Sequence, residues 1–158
     1  MPGASPPVLE VEPGRGAPGR SSSFEVRLHG ERSVVAATQN EVEFGSGARV
    51  RATASGQPDC SVNPEIQKLV AAVFKPTGCF PGIDCEGIKV VVIAFDNFLV
   101  IPDGSLLYRC ELEIDHDVLP GEAISLDCFD ARASDPYGNA VPVGCIGGSV
   151  DTTTPPGS

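Results

Sequence analysis

Apolar and polar residues alternate in several short segments of this chain, a pattern typical of half-buried β-strands. The clearest alternation runs over residues 106–114. The even-numbered positions of this segment are all apolar and form one face, which we expect to pack on a core. The odd-numbered positions form the opposite, outward face, which consists of Leu107, Arg109, Glu111 and Glu113.

Further short strands are predicted along the chain, and at 69–74 and 90–95 the signal is a continuous apolar run, which at 90–95 suits a central strand covered on both faces. They cover residues 8–11, 23–28, 34–44, 49–54, 69–74, 90–95, 124–129, 140–143 and 148–150. In the strand at 34–44 the alternation places Gln39, Glu41 and Glu43 on the outer face. Fifteen Pro and 18 Gly interrupt the chain too often for long helices, and only a helical turn after Asn63 is predicted. The pattern favours an all-β sandwich or barrel.

The two ends of the sequence differ from its middle in composition. Residues 1–7, MPGASPP, are linker-like, and residues 152–158 form a Thr/Pro/Gly/Ser-rich linker. Residues 8–151 form the predicted domain. The sequence contains neither an apolar run of 18 residues nor a basic segment followed by an apolar one, so we expect no membrane insertion and no leader. We interpret the chain as a monomeric module of a larger secreted protein, at the cell surface or outside the cell.

The net charge of the chain is −10 at pH 7. Binding to nucleic acid needs Lys and Arg for the phosphates, and binding to anionic membranes needs a positive surface. The acidic balance therefore opposes both, and we expect no nucleic-acid partner.

Six cysteines occur in the sequence, Cys60, Cys79, Cys85, Cys110, Cys128 and Cys145. They show no CxxC spacing and are accompanied by only two His, so disulfides are favoured over a zinc site. Cys79 and Cys85 flank a Pro-Gly loop and are placed to close it. Cys110 and Cys128 face the predicted core, where they either bridge two sheets or are simply buried. The other pairings remain open.

No group of residues has the pattern of a catalytic or metal site. Asp115-His116-Asp117 resembles a solvated turn, and Asp130, Asp135 and Asn139 lack the spacing of a calcium loop. Serine-hydrolase and nucleotide-binding motifs are absent. We therefore predict no enzyme, no metal and no cofactor.

Three stretches together resemble the cohesin family, whose modules bind dockerins. They are VLEVEPGRGAPGRSSSFEVRLHG at 8–30, IPDGSLLYRCELEI at 101–114, and PGEAISLDCFDARASDPYGNAVPV with GGSV at 120–143 and 147–150. Their order and spacing cover about residues 8–151. A Cys-rich loop insertion between Cys60 and Cys85 and the number of cysteines depart from the usual cohesin pattern.

The resemblance implies a two-sheet jelly-roll β-sandwich whose third, fifth, sixth and eighth strands present a dockerin-binding face. Assigning residues 106–114 to the sixth strand, it implies partner contacts through Gln39, Glu41, Glu43, Leu107, Arg109, Glu111 and Glu113, with the 97–104 loop at the edge. It also implies that calcium belongs to the dockerin.

Two other interpretations of the sequence stay open. Glu111 and Glu113 are also explained as the wet face of an antiparallel strand. A carbohydrate-binding module, or a structural adhesin or surface-layer bead, shares the sandwich architecture. Sugar binding usually needs exposed aromatics, whereas this chain has no Trp, and Tyr108 faces the predicted core.

Overall fold

The structure is a computed structural model that describes residues 6–30 and 34–152. Most of both predicted linkers, residues 1–5 and 153–158, lies outside the described residues. Thr152 differs from its predicted place in the linker, since it is the buried last residue of a strand. None of the helices within the described ranges is long and apolar enough to cross a membrane.

The described part of the chain is built from strands and one short 3-10 helix. The strands are β1 (Val8–Glu12), β2 (Gly14–Gly16), β3 (Ser21–His29), β4 (Ala37–Phe44), β5 (Ala48–Val50), β6 (Cys60–Val62), β7 (Leu69–Lys75), β8 (Gly87–Ile93), β9 (Leu106–Ile114), β10 (Ala123–Ser134), β11 (Ala140–Val141), β12 (Gly144–Ile146) and β13 (Gly148–Thr152). The 3-10 helix covers Pro64–Ile66, and the Asn63 side chain accepts a hydrogen bond from the Glu65 N–H at 3.1 Å. The predicted cap at Asn63 is thereby confirmed.

Two sheets pack face to face. The six-stranded sheet has the order β12-β1-β3-β9-β5, with β6 also paired to β9, and the seven-stranded sheet has the order β2-β13-β10-β4-β8-β7, with β11 paired to β10. The chain passes from one sheet to the other at Pro13, because β1 pairs with β12 and the next strand, β2, pairs with β13. The predicted all-β sandwich is confirmed.

One hydrophobic core lies between the sheets. Its side chains come from alternate positions of the facing strands, and Phe24, Leu28, Val42, Val90, Leu112 and Leu126 are all essentially inaccessible. The core also contains a polar contact that joins the two sheets. The Tyr108 hydroxyl of β9 donates to the Asn40 Oδ1 of β4 at 2.9 Å, with both residues fully buried.

The predicted turn at Pro102-Asp103-Gly104 precedes β9. The Ser105 N–H donates to the Pro102 carbonyl at 3.2 Å, and Gly104 takes the positive φ of 80° that the turn needs. In such turns an Asp carboxylate is expected to accept a hydrogen bond from the backbone of its own turn, but the Asp103 carboxylate bonds elsewhere. It accepts the Gly30 N–H at 2.7 Å and so ties the turn to the end of β3.

All six cysteines are in disulfides. Cys79–Cys85 closes the local loop, as predicted. Cys60–Cys110 joins directly paired residues of β6 and β9 within the six-stranded sheet. Cys128–Cys145 joins β10 to β12 and is therefore the bridge between the sheets. A bridge between Cys110 and Cys128 is ruled out because each has another partner.

Candidate docking face

The predicted partner-binding residues are divided between opposite sides of the sandwich. Gln39, Glu41 and Glu43 lie on β4 of the seven-stranded sheet, whereas Arg109 and the acidic residues beside it lie on β9 of the six-stranded sheet. Both sets point outward, so the whole core separates them. The sequence-based assignment of residues 106–114 to the same face as β4 is wrong.

Leu107 does not belong to an outer face at all, because its side chain is fully buried. The cause is a register shift between β3 and β9. Val26 pairs with Tyr108 and the next residue, Arg27, pairs with Leu106, so Leu107 is the extra residue of a bulge. A bulge interrupts the strict alternation of the two faces. The predicted outward position is therefore wrong for Leu107, whereas Arg109 does point outward.

The outer face of the six-stranded sheet carries mostly paired charges. Arg49 lies 3.2 Å from the Asp115 carboxylate, and Arg109 lies 3.6 Å from Glu111. Arg27 and Glu12 form a further ion pair, and the hydrogen bond that the Arg27 guanidinium donates to the Glu12 carboxylate raises the pKa of Arg27. Charges that neutralise one another at the surface are typical of a solvated strand face. The alternative interpretation as a wet face fits Glu113, whereas the Glu111 Oε2 is buried, accepts no hydrogen bond from the described residues and has only Arg109 nearby.

The outer face of the seven-stranded sheet has a different character. Its four neighbouring strands β10, β4, β8 and β7 bring side chains into lateral rows, because directly paired residues point to the same side. One row contains Phe129, Glu41, Lys89 and Val73. The next contains Arg132, Gln39, Val91 and Ala71.

The β7 side of this face is apolar and exposed. Leu69 is 58% exposed and Val73 is 51% exposed, although both belong to regular strand. Glu41 and Glu43 lie on β4 and Asp127 lies on β10, on the far side of β8 from β7. These residues give the other side of the face an acidic character. We define the docking face by these outward residues of the four strands: Gln39, Glu41, Glu43, Leu69, Ala71, Val73, Lys75, Lys89, Val91, Ile93, Asp127, Phe129 and Arg132.

Sequence reasoning missed the apolar half of this face. The available signal was the uninterrupted apolar run of residues 69–74, LVAAVF. In a strand covered on both sides such a run is expected, but β7 is the last strand of its sheet. Both faces of an edge strand are seldom apolar without a partner. Only the sheet order shows that β7 is an edge.

The other candidate groups behave as structural elements. Asp135 accepts hydrogen bonds from the N–H groups of Tyr137 and Asn139, both at 2.9 Å, and these bonds lower the pKa of its carboxyl. This is the Asx-type turn that the sequence predicts. Asp84 lies beside Cys79 and Cys85, but the two sulfurs are joined to each other and hold no free thiolate for a metal.

Comparisons with known proteins identify the fold. No protein-family model and no curated protein matches the sequence. Among solved structures, a non-cellulosomal cohesin from the archaeon Archaeoglobus fulgidus is similar with a TM-score of 0.69 and 12% identity, over 95% of this chain and 93% of that one. A type I cohesin–dockerin complex from Clostridium thermocellum has a TM-score of 0.68 and 14% identity, over 94% and 99%.

A type III cohesin from a cell-surface anchoring scaffoldin of Ruminococcus flavefaciens is also similar. Its TM-score is 0.66 at 10% identity, over 94% of this chain and 88% of that one. The chain therefore has the cohesin fold, as the sequence resemblance implied.

Proposed function

We propose that this cohesin-fold domain is a non-catalytic recognition module that docks a dockerin-type partner on its docking face. The observation that carries the proposal is the exposed apolar surface of β7, continued by the half-buried Val91 and Ile93 of β8, next to the acidic surface of β4. An apolar centre with a charged surround is a common composition for a protein interface. Several solved domains of the same fold are complexes with dockerins.

The strand order supports this choice of face. When β2, β6, β11 and β12 are set aside and the equally short β5 is counted, the third, fifth, sixth and eighth strands are β4, β7, β8 and β10. These four are neighbours in one sheet. They are the strands that the cohesin resemblance implies for docking, with β8 in the place that the sequence analysis gave to residues 106–114.

The partner would be calcium-folded and helical, with calcium bound by the dockerin and no cofactor on this chain. The acidic residues Glu41, Glu43 and Asp127 would steer a partner that carries basic residues around an apolar patch. We place the module outside the cell or at the cell surface, as part of a larger secreted protein. Three disulfides suit an oxidising compartment.

The test is calorimetric titration of the oxidised domain with the dockerins encoded in the same genome, first with calcium and then with chelator. We expect calcium-dependent binding to one of them. Val73→Glu places a charge in the apolar half of the docking face, so we expect binding to weaken at least about tenfold.

The matched control is Arg109→Glu, which changes an exposed residue on the opposite side of the sandwich. Its affinity should equal that of the unmodified domain. Lost binding in Arg109→Glu with normal binding in Val73→Glu would move the site to the six-stranded sheet. If no dockerin binds, the proposed dockerin function is refuted.

A further inference from the structure

A groove adjoins one end of the docking face. It has a volume of about 750 Å³ and is lined by the end of β8, the loop after it and the turn after β10. Ile93 continues the apolar surface of β8 into the groove, and the aromatic rings of Phe98 and Tyr137 add to its walls. Tyr137 is 88% exposed and Phe98 is 74% exposed. Large exposed aromatics around a concave surface are typical of a binding site.

A buried cation lines this apolar groove. Lys68 retains 5% exposure, and its ammonium donates to the Asn97 Oδ1 at 3.0 Å and to the Leu99 carbonyl at 2.8 Å. Both acceptors are neutral, and no carboxylate of the described residues lies within ion-pair distance of Lys68. Burial lowers the pKa of this ammonium, and Asp96 opposes that shift only at longer range.

A buried ammonium without a carboxylate at ion-pair distance is costly, and an ammonium has three N–H donors. Two donors of Lys68 are used within the described part of the chain, which leaves one for a ligand. An incoming carboxylate would therefore supply a third acceptor and a negative charge in direct contact with the ammonium. Charge-assisted bonds of this kind are about twice as strong as bonds between neutral groups.

The amide and carboxylate groups of the groove are already engaged. Asn97 accepts from Lys68 and from the Leu99 N–H, and its amide nitrogen donates to the Gln67 carbonyl. Asp135 accepts the Tyr137 and Asn139 N–H groups on Oδ1 and the Asn139 amide on Oδ2 at 3.3 Å, so most of its bonds stay within its own turn. With Asn97 fully engaged and apolar walls around it, the groove suits an apolar ligand with one anionic group better than a carbohydrate.

We propose that the groove binds a short acidic peptide segment of the partner, in which a carboxylate meets Lys68 and an adjacent large apolar side chain lies beside Phe98 and Tyr137. The position of the groove at the end of the docking face lets one partner occupy both. This inference rests on the proposed function only for the identity of the protein that carries the segment.

The test is an NMR titration of the ¹⁵N-labelled, oxidised domain with the acetylated and amidated tripeptide Leu-Phe-Glu and with its neutral counterpart Leu-Phe-Gln. We expect the Glu peptide to shift the amides of Asn97, Leu99 and Tyr137 and to bind about tenfold more tightly than the Gln peptide. In Lys68→Met the two peptides should bind equally. Lys75→Met, at the other end of β7, is the matched control, and this variant should still bind the Glu peptide more tightly than the Gln peptide.

Tyr137→Ala changes only an exposed side chain, so it tests the groove even if Lys68→Met fails to fold. It should weaken both peptides while leaving the preference for Glu. Equal affinities in the unmodified domain would overturn the proposal, as would a preference for Glu that survives Lys68→Met. Cellopentaose that shifts the same amides more strongly than the Glu peptide would overturn it in favour of sugar binding.

The two proposals fail separately. If the domain binds no dockerin but prefers the Glu peptide, the dockerin proposal is refuted and the groove proposal stands. If the domain binds a dockerin but shows no preference between the two peptides, the groove proposal is refuted and the dockerin proposal stands.

Discussion

The hydrogen bond between Tyr108 and Asn40 provides a direct test of how the two sheets are held together. It crosses the core at 2.9 Å and joins residues that are 68 positions apart in sequence. Tyr108→Phe removes only the hydroxyl and leaves the Asn40 Oδ1 buried without its donor. The remaining contact of the Asn40 amide is a weak one, from Nδ2 to the Cys128 Sγ at 3.5 Å.

A buried polar group that loses its partner costs about 1–3 kcal/mol. We therefore expect Tyr108→Phe to lower the free energy of unfolding by about 2 kcal/mol. Replacing both partners removes the orphaned group, so Tyr108→Phe combined with Asn40→Val should cost less than the sum of the two single changes.

The assay is guanidinium denaturation of the oxidised domain followed by far-ultraviolet circular dichroism, with the m-value checked for constancy. Tyr137→Phe is the control, because Tyr137 is exposed and its hydroxyl forms no hydrogen bond with the described residues. Its stability should be unchanged. A loss below about 0.5 kcal/mol in Tyr108→Phe, or strict additivity in the double variant, would show that this bond does not join the sheets.

Three further predictions follow from burial and from the disulfides. Burial raises the pKa of Tyr108 above that of an unfolded tyrosine. Above about pH 10 the unmodified domain should therefore lose stability relative to Tyr108→Phe, by up to about 1.4 kcal/mol per pH unit. Denaturation measured across that pH range tests this, and parallel stability profiles of the two proteins would contradict it. Leu107→Ala should lower the free energy of unfolding by about 2–5 kcal/mol in the same assay, because the Leu107 side chain is fully buried. The loss should clearly exceed that of Leu106→Ala, since Leu106 is only half-buried. A Leu107→Ala variant of unchanged stability would argue against the bulge. Removing the Cys128–Cys145 disulfide with Cys128→Ala and Cys145→Ala should lower the free energy of unfolding by about 3 kcal/mol. Removing Cys79–Cys85, which closes a shorter loop, should lower it by about 2 kcal/mol. Thermal and denaturant unfolding test this, and the reverse order would show that loop length does not control the stabilisation by these disulfides.

Much of the local structure could be predicted from the sequence, because strands and turns depend on neighbouring residues. The alternation of residues 106–114 corresponds to β9, and Asn63 caps a helical turn as expected. Local reasoning failed where a single residue broke the period. Leu107 lies at the bulge opposite Val26 and Arg27, and nothing within β9 itself marks that position.

The candidate site could be predicted only in part. Gln39, Glu41 and Glu43 point outward from β4 as the alternation predicts. The sequence analysis placed residues 106–114 on the same face as β4, although the strands beside β4 are β8 and β10. Alternation shows which side of a strand is buried, but it does not show to which of two sheets the strand belongs. Cysteine pairing was limited in the same way. Cys79 and Cys85 are close in sequence, whereas Cys128 meets Cys145 only because β10 and β12 lie in facing sheets.

The amino-acid sequence by itself determined the fold class of this protein, since apolar alternation and Gly/Pro turns are short-range properties that specify strands and their ends. The tertiary structure alone decided which strands share a sheet, that β7 forms an edge with an exposed apolar face, and that Lys68 is buried beside a groove. These features depend on contacts between residues far apart in the chain, and each local pattern is compatible with several such arrangements.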